Sequence, residues 1–223
     1  SNICKNKCKF CAFSREEGEN GAYQMSIKEI LEKASQIIQE KATELHIVGG
    51  LHPELGLDFY IDMISSIHKR FPEVHLQAFT AVEISHFAEI SGISTYETLK
   101  KLKDAGLGSL PGGGAEVFAT EIREELCPEK LSGEEWLNTM RIAHNLGLKS
   151  NATMLYGHIE QDKDRINHLL KLRELQDETG GFMTFIPLAF HPKNTDMKNI
   201  SSTAGILDLK MLAIGRLMLD NFD

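Results

Sequence analysis

Along the 223-residue chain, segments with the hydrophobic pattern of short strands alternate with segments that have the hydrophobic pattern of helices. The predicted strands span 44–48, 74–80, 107–110, 150–155 and 182–188. The predicted helices span 26–41, 57–70, 95–105, 119–126, 132–145, 161–178 and 206–219. Strands that alternate with helices indicate βα units around a parallel sheet, so the pattern predicts an α/β fold.

Several predicted helices begin and end at recognisable residues. Ser26 is followed three residues later by Glu29, which is the pattern of a capping box at a helix N-terminus. Gly106 and Gly147 follow the apolar stripes of two other helices, where glycine favours the left-handed conformation of a C-terminal cap. These signals support the order of the elements.

The predicted strands indicate a (βα) barrel of which part is missing. Five strands follow the cysteine-rich start of the chain, one short of six, and the first strand of the barrel would precede Ser1. The last helical pattern, 207–223, stops while it is still apolar. We therefore expect residues 1–223 to form a single TIM-type barrel domain that lacks its first strand and its C-terminal part. We expect this shortened chain not to turn over substrate.

The composition narrows the class of protein. Hydrophobic residues make up 42% of the chain and charged residues 25%, as in ordinary globular proteins, and the formal net charge is −8. No basic stripe is present to neutralise nucleic-acid phosphates, and no apolar run reaches the roughly 20 residues of a membrane span. We expect a cytoplasmic protein with no nucleic-acid and no membrane partner.

Three of the four cysteines, Cys4, Cys8 and Cys11, form a C-x3-C-x2-C loop. Three thiolates at this spacing can hold three irons of a [4Fe–4S] cluster and leave the fourth iron open to a small molecule. The alternatives are a structural zinc site and an electron-transfer cluster, but both normally need a fourth ligand. The remaining cysteine, Cys127, is expected to pack as a small apolar residue. The loop therefore favours a catalytic cluster over a zinc-stabilised binding module.

Candidate ligand-binding residues follow the predicted strands, because the active site of a barrel lies at the C-terminal ends of its strands. Gly49 and Gly50 leave space for a ligand beside the backbone, although a plain tight turn is the simpler interpretation. Glu116 suits the hydroxyls of a ribose and suits a helix N-terminus equally well. Further pocket candidates, chosen on position alone, are His52, Glu83, Asn151, Tyr156, His158 and His191. For each histidine, a purely structural role is the alternative.

Four stretches carry a resemblance to a known family: 78–84, 111–116, 151–160 and 172–182. Together with the cysteine loop, they resemble the aminofutalosine synthase family of the radical S-adenosylmethionine (SAM) superfamily. The resemblance covers nearly the whole chain. Dehypoxanthine futalosine cyclases and the FO synthases of deazaflavin synthesis share the loop and parts of these stretches, so they are the alternative members.

The resemblance implies two cofactors and their ligands. Cys4, Cys8 and Cys11 match the ligands of a [4Fe–4S] cluster whose open iron chelates SAM. The other residues that it implies as cofactor contacts are Phe10, Gly49, Gly50, Glu116, Gly157 and Glu160.

The resemblance also implies a transferase reaction of menaquinone biosynthesis. The reduced cluster would cleave SAM to methionine and a 5′-deoxyadenosyl radical, and the radical would add to 3-[(1-carboxyvinyl)oxy]benzoate. Rearrangement and loss of the carboxylate carbon would then give aminofutalosine. An external donor such as a flavodoxin or a ferredoxin would supply the electron. The protein's expected tasks are to bind these small molecules, to align them and to exclude water.

Overall fold

The computed structural model describes residues 1–222, and its elements follow the predicted order. The helices are α1 (Ile27–Gln39), α2 (Leu57–Arg70), α3 (Ala81–Ser91), α4 (Thr95–Asp104), α5 (Thr120–Leu126), α6 (Gly133–Asn145), α7 (Asp162–Thr179) and α8 (Gly205–Met218). The strands are β1 (Glu44–Ile47), β2 (His75–Ala78), β3 (Ser109–Leu110), β4 (Lys149–Tyr156) and β5 (Phe182–Ala189). Every predicted element is present, with its ends within about two residues of the expected positions. Among the described residues, no helix is both long enough and apolar enough to cross a bilayer.

Two compact units make up the chain, and the strands of each pair in parallel. The first unit contains residues 1–5 and 14–111, and its strands have the order β1–β2–β3. The second contains residues 6–13 and the chain from Gly112 onward, and it pairs β4 with β5. Parallel strands joined by helices confirm the predicted α/β class. The single-domain organisation stays a prediction.

Apolar faces of α2 and α3 form the core of the first unit. Ile64 and Ile67 of α2 are fully buried, as is Phe87 of α3. The ring of Tyr60 stacks on that of Phe87, with centroids 4.0 Å apart. Leu76 of β2 is also buried, because both faces of a parallel strand are covered.

Aromatic residues dominate the core of the second unit. Trp136 of α6 is fully buried, and its indole N–H donates to the carbonyl of Gly113 at 3.1 Å. His168 of α7 stacks on Phe118 at 3.9 Å and donates from Nε2 to the carbonyl of Thr153 at 2.9 Å. Burial lowers the pKa of His168 to about 3, so this histidine is a neutral structural residue.

One element, α3, lies where the sequence analysis predicts none. The strand expected to reach Thr80 ends at Ala78, and Phe79 has a φ of 63°. Thr80 then caps α3, and the carboxylate of Glu83 accepts a hydrogen bond from the amide of Thr80, which completes a capping box. The stretch 80–83 therefore begins a helix directly after β2. The Thr-x-x-Glu pattern that signals this start is the same as the Ser-x-x-Glu pattern of α1.

Candidate active site

The cysteine loop begins in the first unit, where backbone hydrogen bonds hold Cys4. Its amide donates to the carbonyl of Arg15 at 3.1 Å, and the next amide, that of Lys5, donates to the carbonyl of Leu51 at 2.9 Å. The Leu51 amide in turn donates to Sγ of Cys4 at 3.4 Å. This contact fixes the position of the sulfur beside the backbone that follows β1.

Gly50 lies against the segment that carries Cys4, and a side chain here would not fit. An added Cβ would clash with the carbonyl oxygen of Ile3 and would lie 3.0 Å from Cβ of Cys4. The Gly50 amide also donates to the carbonyl of Ser1 at 3.0 Å. The absence of a side chain thus lets the end of β1 pack directly on the cysteine segment. Contact between the glycine pair and a ligand stays a prediction.

Glu83 links this loop to the start of α3. One carboxylate oxygen accepts from the amide of Gly49 at 3.0 Å, and the other accepts from the amide and the hydroxyl of Thr80 at 2.8 and 2.9 Å. Gly49, Gly50 and Glu83 border one cavity of about 270 Å³, which is otherwise largely apolar. Burial raises the pKa of Glu83 to about 7, although the hydrogen bonds from Thr80 and Gly49 act in the opposite direction.

His52 is buried beside this loop, with one ring nitrogen engaged and one left over. Its Nδ1 accepts from the amides of Glu54 and Leu55 at 3.1 and 3.2 Å, so Nε2 carries the proton. Nε2 is buried and has no hydrogen-bond partner among residues 1–222. Burial lowers the pKa of His52, which favours this neutral form. A buried donor without a partner is uncommon in a folded protein.

The rest of the cysteine loop belongs to the second unit. The Cys11 amide donates to the carbonyl of Cys8 at 3.0 Å, and the Lys9 amide donates to the carbonyl of Leu126 at 2.9 Å. Cys8 packs in an apolar cluster with Phe10 and with Cys127, which is 2% exposed, so the prediction that Cys127 packs in the interior is confirmed. The hydrogen bond with Cys127 and burial raise the pKa of the Cys8 thiol.

Glu116 faces a lysine that the sequence analysis did not single out. Glu116 adopts a left-handed backbone conformation with a φ of 49°. Its Oε1 lies 2.6 Å from Nζ of Lys130, and both side chains are only 13% exposed. The same Nζ lies 5.1 Å from the centroid of the Phe10 ring. Binding of a ribose by Glu116 stays a prediction. Because Oε1 faces Lys130, Oε2 is the oxygen proposed to accept from the ribose.

A second cavity, of about 530 Å³, brings several predicted residues of this unit together. Phe10, Cys11, Glu116 and His191 all border it. His191 is exposed, and its Nδ1 accepts from the amide of Lys193 at 3.3 Å.

The loop that follows β4 is held by a buried carboxylate. Glu160 accepts from the amides of Gly157 and His158 at 2.6 and 2.8 Å, and Arg165 pairs with it from the first turn of α7. Gly157 has a φ of 86°, and a Cβ there would clash with Thr203. Both features require glycine at this position.

Three other pocket candidates have polar groups that the fold already uses. The Tyr156 hydroxyl donates to Oδ1 of Asp208 at 2.7 Å. His158 donates from Nε2 to the carbonyl of Leu155 at 3.0 Å and accepts at Nδ1 from the amide of Ile159 at 2.7 Å. Asn151 is half-buried on β4. For Tyr156 and His158, these contacts favour a structural role.

Two site residues, Lys130 and Arg165, were missed by the sequence analysis. Arg165 follows Glu160 by five residues in a helical first turn, and this spacing is the only local signal for the pair. Lys130 has no local signal, because its partner Glu116 lies fourteen residues earlier in the chain.

Comparison with known proteins agrees with this loop and fold. The model of the radical SAM superfamily matches residues 1–172, which is most of the chain. The chain therefore belongs to the radical SAM superfamily.

Similar proteins point to particular members. The chain is 46% identical to the aminodeoxyfutalosine synthase of Thermus thermophilus, with all of this chain and 61% of that protein covered. It is 43% identical to a 5-amino-6-(D-ribitylamino)uracil–L-tyrosine 4-hydroxyphenyl transferase of Methanosarcina barkeri, covering 97% of this chain and 58% of that protein. The chain thus spans about three-fifths of the length of these relatives. In structure, it resembles methylornithine synthase, with a TM-score of 0.77 at 18% identity over 100% of this chain and 61% of that one. That likeness concerns the fold, which is of the barrel type found in radical SAM proteins.

Radical SAM proteins use a [4Fe–4S] cluster and SAM, and the cysteine loop fits such a cluster. Cys4, Cys8 and Cys11 are half-buried thiols, and the sulfur of Cys4 already accepts a backbone N–H. Hydrogen bonds of this type are one means by which proteins tune iron–sulfur clusters. Within residues 1–222, no group of three or more His, Cys, Asp or Glu side chains is placed to hold a single metal ion.

Proposed function

We propose that this protein is an aminofutalosine synthase, a transferase that joins the adenosyl group of SAM to 3-[(1-carboxyvinyl)oxy]benzoate. The observation that carries the proposal is the loop of three half-buried thiols, the first of which is hydrogen-bonded to Leu51. The 46% identity to the Thermus synthase over the whole chain supports the choice of this member.

In this proposal, the chain holds the cofactors and the cofactors supply the difficult chemistry. Cys4, Cys8 and Cys11 hold the cluster, which supplies a one-electron reduction of bound SAM. Oε2 of Glu116 accepts from a ribose hydroxyl. The loop held by Glu160 contacts the adenine, as the family resemblance implies, and the hydrogen bonds to the amides of Gly157 and His158 hold its backbone in place.

The second substrate has two carboxylates and needs hydrogen-bond donors. His52 is one donor candidate, since its Nε2–H has no partner among the described residues, although this atom is buried and lines neither cavity. Leaving a buried donor without an acceptor costs about 1–3 kcal/mol, so an arriving carboxylate oxygen gains affinity there. His191 borders the cavity of about 530 Å³ in the second unit and is the other donor candidate.

Product analysis tests the proposal and separates it from its closest alternative. The identity to the Methanosarcina enzyme favours a second candidate, the transfer of a hydroxyphenyl group from tyrosine to 5-amino-6-(D-ribitylamino)uracil. The full-length protein, with its cluster reconstituted, is incubated anaerobically with SAM, dithionite and one substrate set at a time. The sets are the carboxyvinyloxybenzoate, tyrosine with the ribitylaminouracil, and dehypoxanthine futalosine.

We expect aminofutalosine by mass spectrometry in the first reaction and only background SAM cleavage in the other two. A new product in the second or third reaction, with none in the first, would assign the protein to the hydroxyphenyl transferases or to the cyclases. Bound zinc in place of iron and acid-labile sulfide would contradict all three readings.

Two further parts of the proposal concern the cell. We place the protein in the cytoplasm, where reducing conditions keep cluster thiols free of disulfides. A flavodoxin or a ferredoxin is the proposed electron donor, and replacing dithionite with either one in the first reaction tests this.

A further inference from the structure

Lys130 is a largely buried cation that contacts a carboxylate and an aromatic ring. Its Nζ is 2.6 Å from Oε1 of Glu116, and its side chain is 13% exposed. The ring face of Phe10 lies 5.1 Å from the same nitrogen, which is within the range of a cation–π contact. The carboxylate and the ring therefore fix the position of the charge.

This charge lies close to a cysteine of the cluster loop. The Lys130 amide donates to the carbonyl of Cys127 at 2.9 Å, and Cys127 packs with Cys8 and Phe10 in one apolar cluster. Phe10, whose ring faces the charge, stands two residues after Cys8 and directly before Cys11, so the charge lies against the cysteine loop. Burial alone would lower the pKa of Lys130, but the ion pair with Glu116 raises it, so the lysine stays charged.

The potential of an iron–sulfur cluster depends on nearby charge, because reduction adds an electron to the cluster. A fixed cation in a poorly solvated environment stabilises the reduced state, and its effect is larger there than in water. We propose that Lys130 is a positioning residue that raises the reduction potential of the cluster held by Cys8, and that Glu116 limits this effect by partly neutralising the charge. The inference rests on the cluster of the proposed function and is independent of the second substrate.

Removing the charge of Lys130 and removing the charge of Glu116 should shift the reduction potential of the cluster in opposite directions. Lys130→Met removes the cation, Lys130→Arg keeps it, and Glu116→Gln leaves it without its counter-charge. Lys171→Met is the matched control, because it makes the same substitution at a lysine of α7 that pairs with Glu134 on the surface. Iron and sulfide per chain are measured for each full-length variant, and the fraction of reduced cluster is followed by EPR during a potentiometric titration without SAM.

At one fixed potential, we expect the ratio of reduced to oxidised cluster to fall on the order of tenfold in Lys130→Met, which is about 59 mV for one electron. The ratio should rise in Glu116→Gln and should stay near that of the wild type in Lys130→Arg and Lys171→Met. If Lys130→Met fails to load its cluster, Glu116→Gln and Lys130→Arg still decide the matter.

Shifts in the same direction for Lys130→Met and Glu116→Gln would overturn the inference and indicate that both residues only support the loop. Unchanged potentials in both variants would also overturn it. The proposed function fails separately: if the potentials move as expected while wild-type protein forms no aminofutalosine, the assignment of the reaction is wrong and the role of Lys130 stands.

Discussion

Glu83 combines deep burial with three hydrogen-bond donors, and these influences oppose one another. Burial has the larger effect and raises the pKa of Glu83 to about 7, from 4.5 for an ordinary carboxyl. The folded protein therefore binds this proton more tightly than the unfolded chain does. The resulting stabilisation is complete below pH 4.5 and is lost as the pH rises through about 7.

A Glu83→Gln variant tests the direction in which the stability changes with pH. The free energy of unfolding of the wild type should fall by about 3 kcal/mol between pH 4.5 and pH 8 because of this group. In Glu83→Gln the fall should disappear, since glutamine retains the capping pattern but does not ionise. Urea unfolding at several pH values measures the difference.

Glu97→Gln is the matched control, because Glu97 completes the same kind of capping box at an exposed position of α4. Hydrogen bonds from Ser94 lower the pKa of Glu97, so its contribution is lost as the pH falls rather than as it rises. A pH profile that Glu83→Gln leaves unchanged would contradict the raised pKa.

Gly50 gives a second prediction at this scale. Gly50→Ala places a Cβ against the carbonyl of Ile3, and overpacking of this kind costs about 1–3 kcal/mol. We expect Cys4 to be displaced and the iron content after reconstitution to fall several-fold. Gly205→Ala is the control, because that glycine has open space around it, and its iron content should stay normal. Equal iron contents in the two variants would show that the close packing at Gly50 is not needed.

At the scale of elements, local signals predicted most of the fold. Ser26 and Ser132 begin α1 and α6 with capping boxes, and Gly147 adopts the expected positive φ of 78° after α6. The helix α3 was missed although Thr80 and Glu83 carry the same signal, because the apolar run of β2 continues into the helix without a break. A buried helix and a buried strand have no clear difference in hydrophobic period at such a junction.

The junction of β4 and α7 gives the prediction for this scale. Arg165→Met leaves the buried carboxylate of Glu160 without its cation, which should lower the free energy of unfolding by about 3–5 kcal/mol. Burial raises the pKa of Glu160, but the amides of Gly157 and His158, with Arg165, lower it overall. The stabilisation is therefore present above the unfolded pKa and is lost as the pH falls. The loss in Arg165→Met should be largest at neutral pH.

Thermal and urea unfolding at pH 7 measure this loss. Arg216→Met provides the comparison, since Arg216 is an exposed residue of the last turn of α8 and its replacement should change stability by less than about 0.5 kcal/mol. If the two variants are equally stable, the ion pair of Glu160 does not hold the loop.

At the scale of the whole molecule, the sequence predicted which parts of the chain carry chemistry better than it predicted which side chains meet. Cys4, Cys8 and Cys11 were found because their spacing is itself the signal. Lys130 could not be found, because its pairing with Glu116 depends on how the chain folds back after β3. Tyr156 and His158 stand at the predicted strand end, but the fold engages their polar groups, which position alone does not reveal.

The prediction at this scale concerns the four cysteines of the chain. Replacing Cys4, Cys8 or Cys11 by serine should abolish the cluster, because each supplies one of only three ligands in the loop. Cys127→Ser should retain the wild-type iron and sulfide content, although Cys127 is buried beside Cys8. Iron and sulfide analysis with the visible absorption spectrum checks all four variants. Loss of the cluster in Cys127→Ser would make that cysteine a ligand.

The bond between Glu83 and the Gly49 amide also has a consequence for hydrogen exchange. An amide in a loop normally exchanges rapidly with solvent, but this one donates to a buried carboxylate that is part of the first turn of α3. Its exchange therefore requires α3 to fray at its start, and the two should open together as one cooperative unit. Deuterium uptake at Gly49 thus reports, from within a loop, on the integrity of a helix that begins more than thirty residues later.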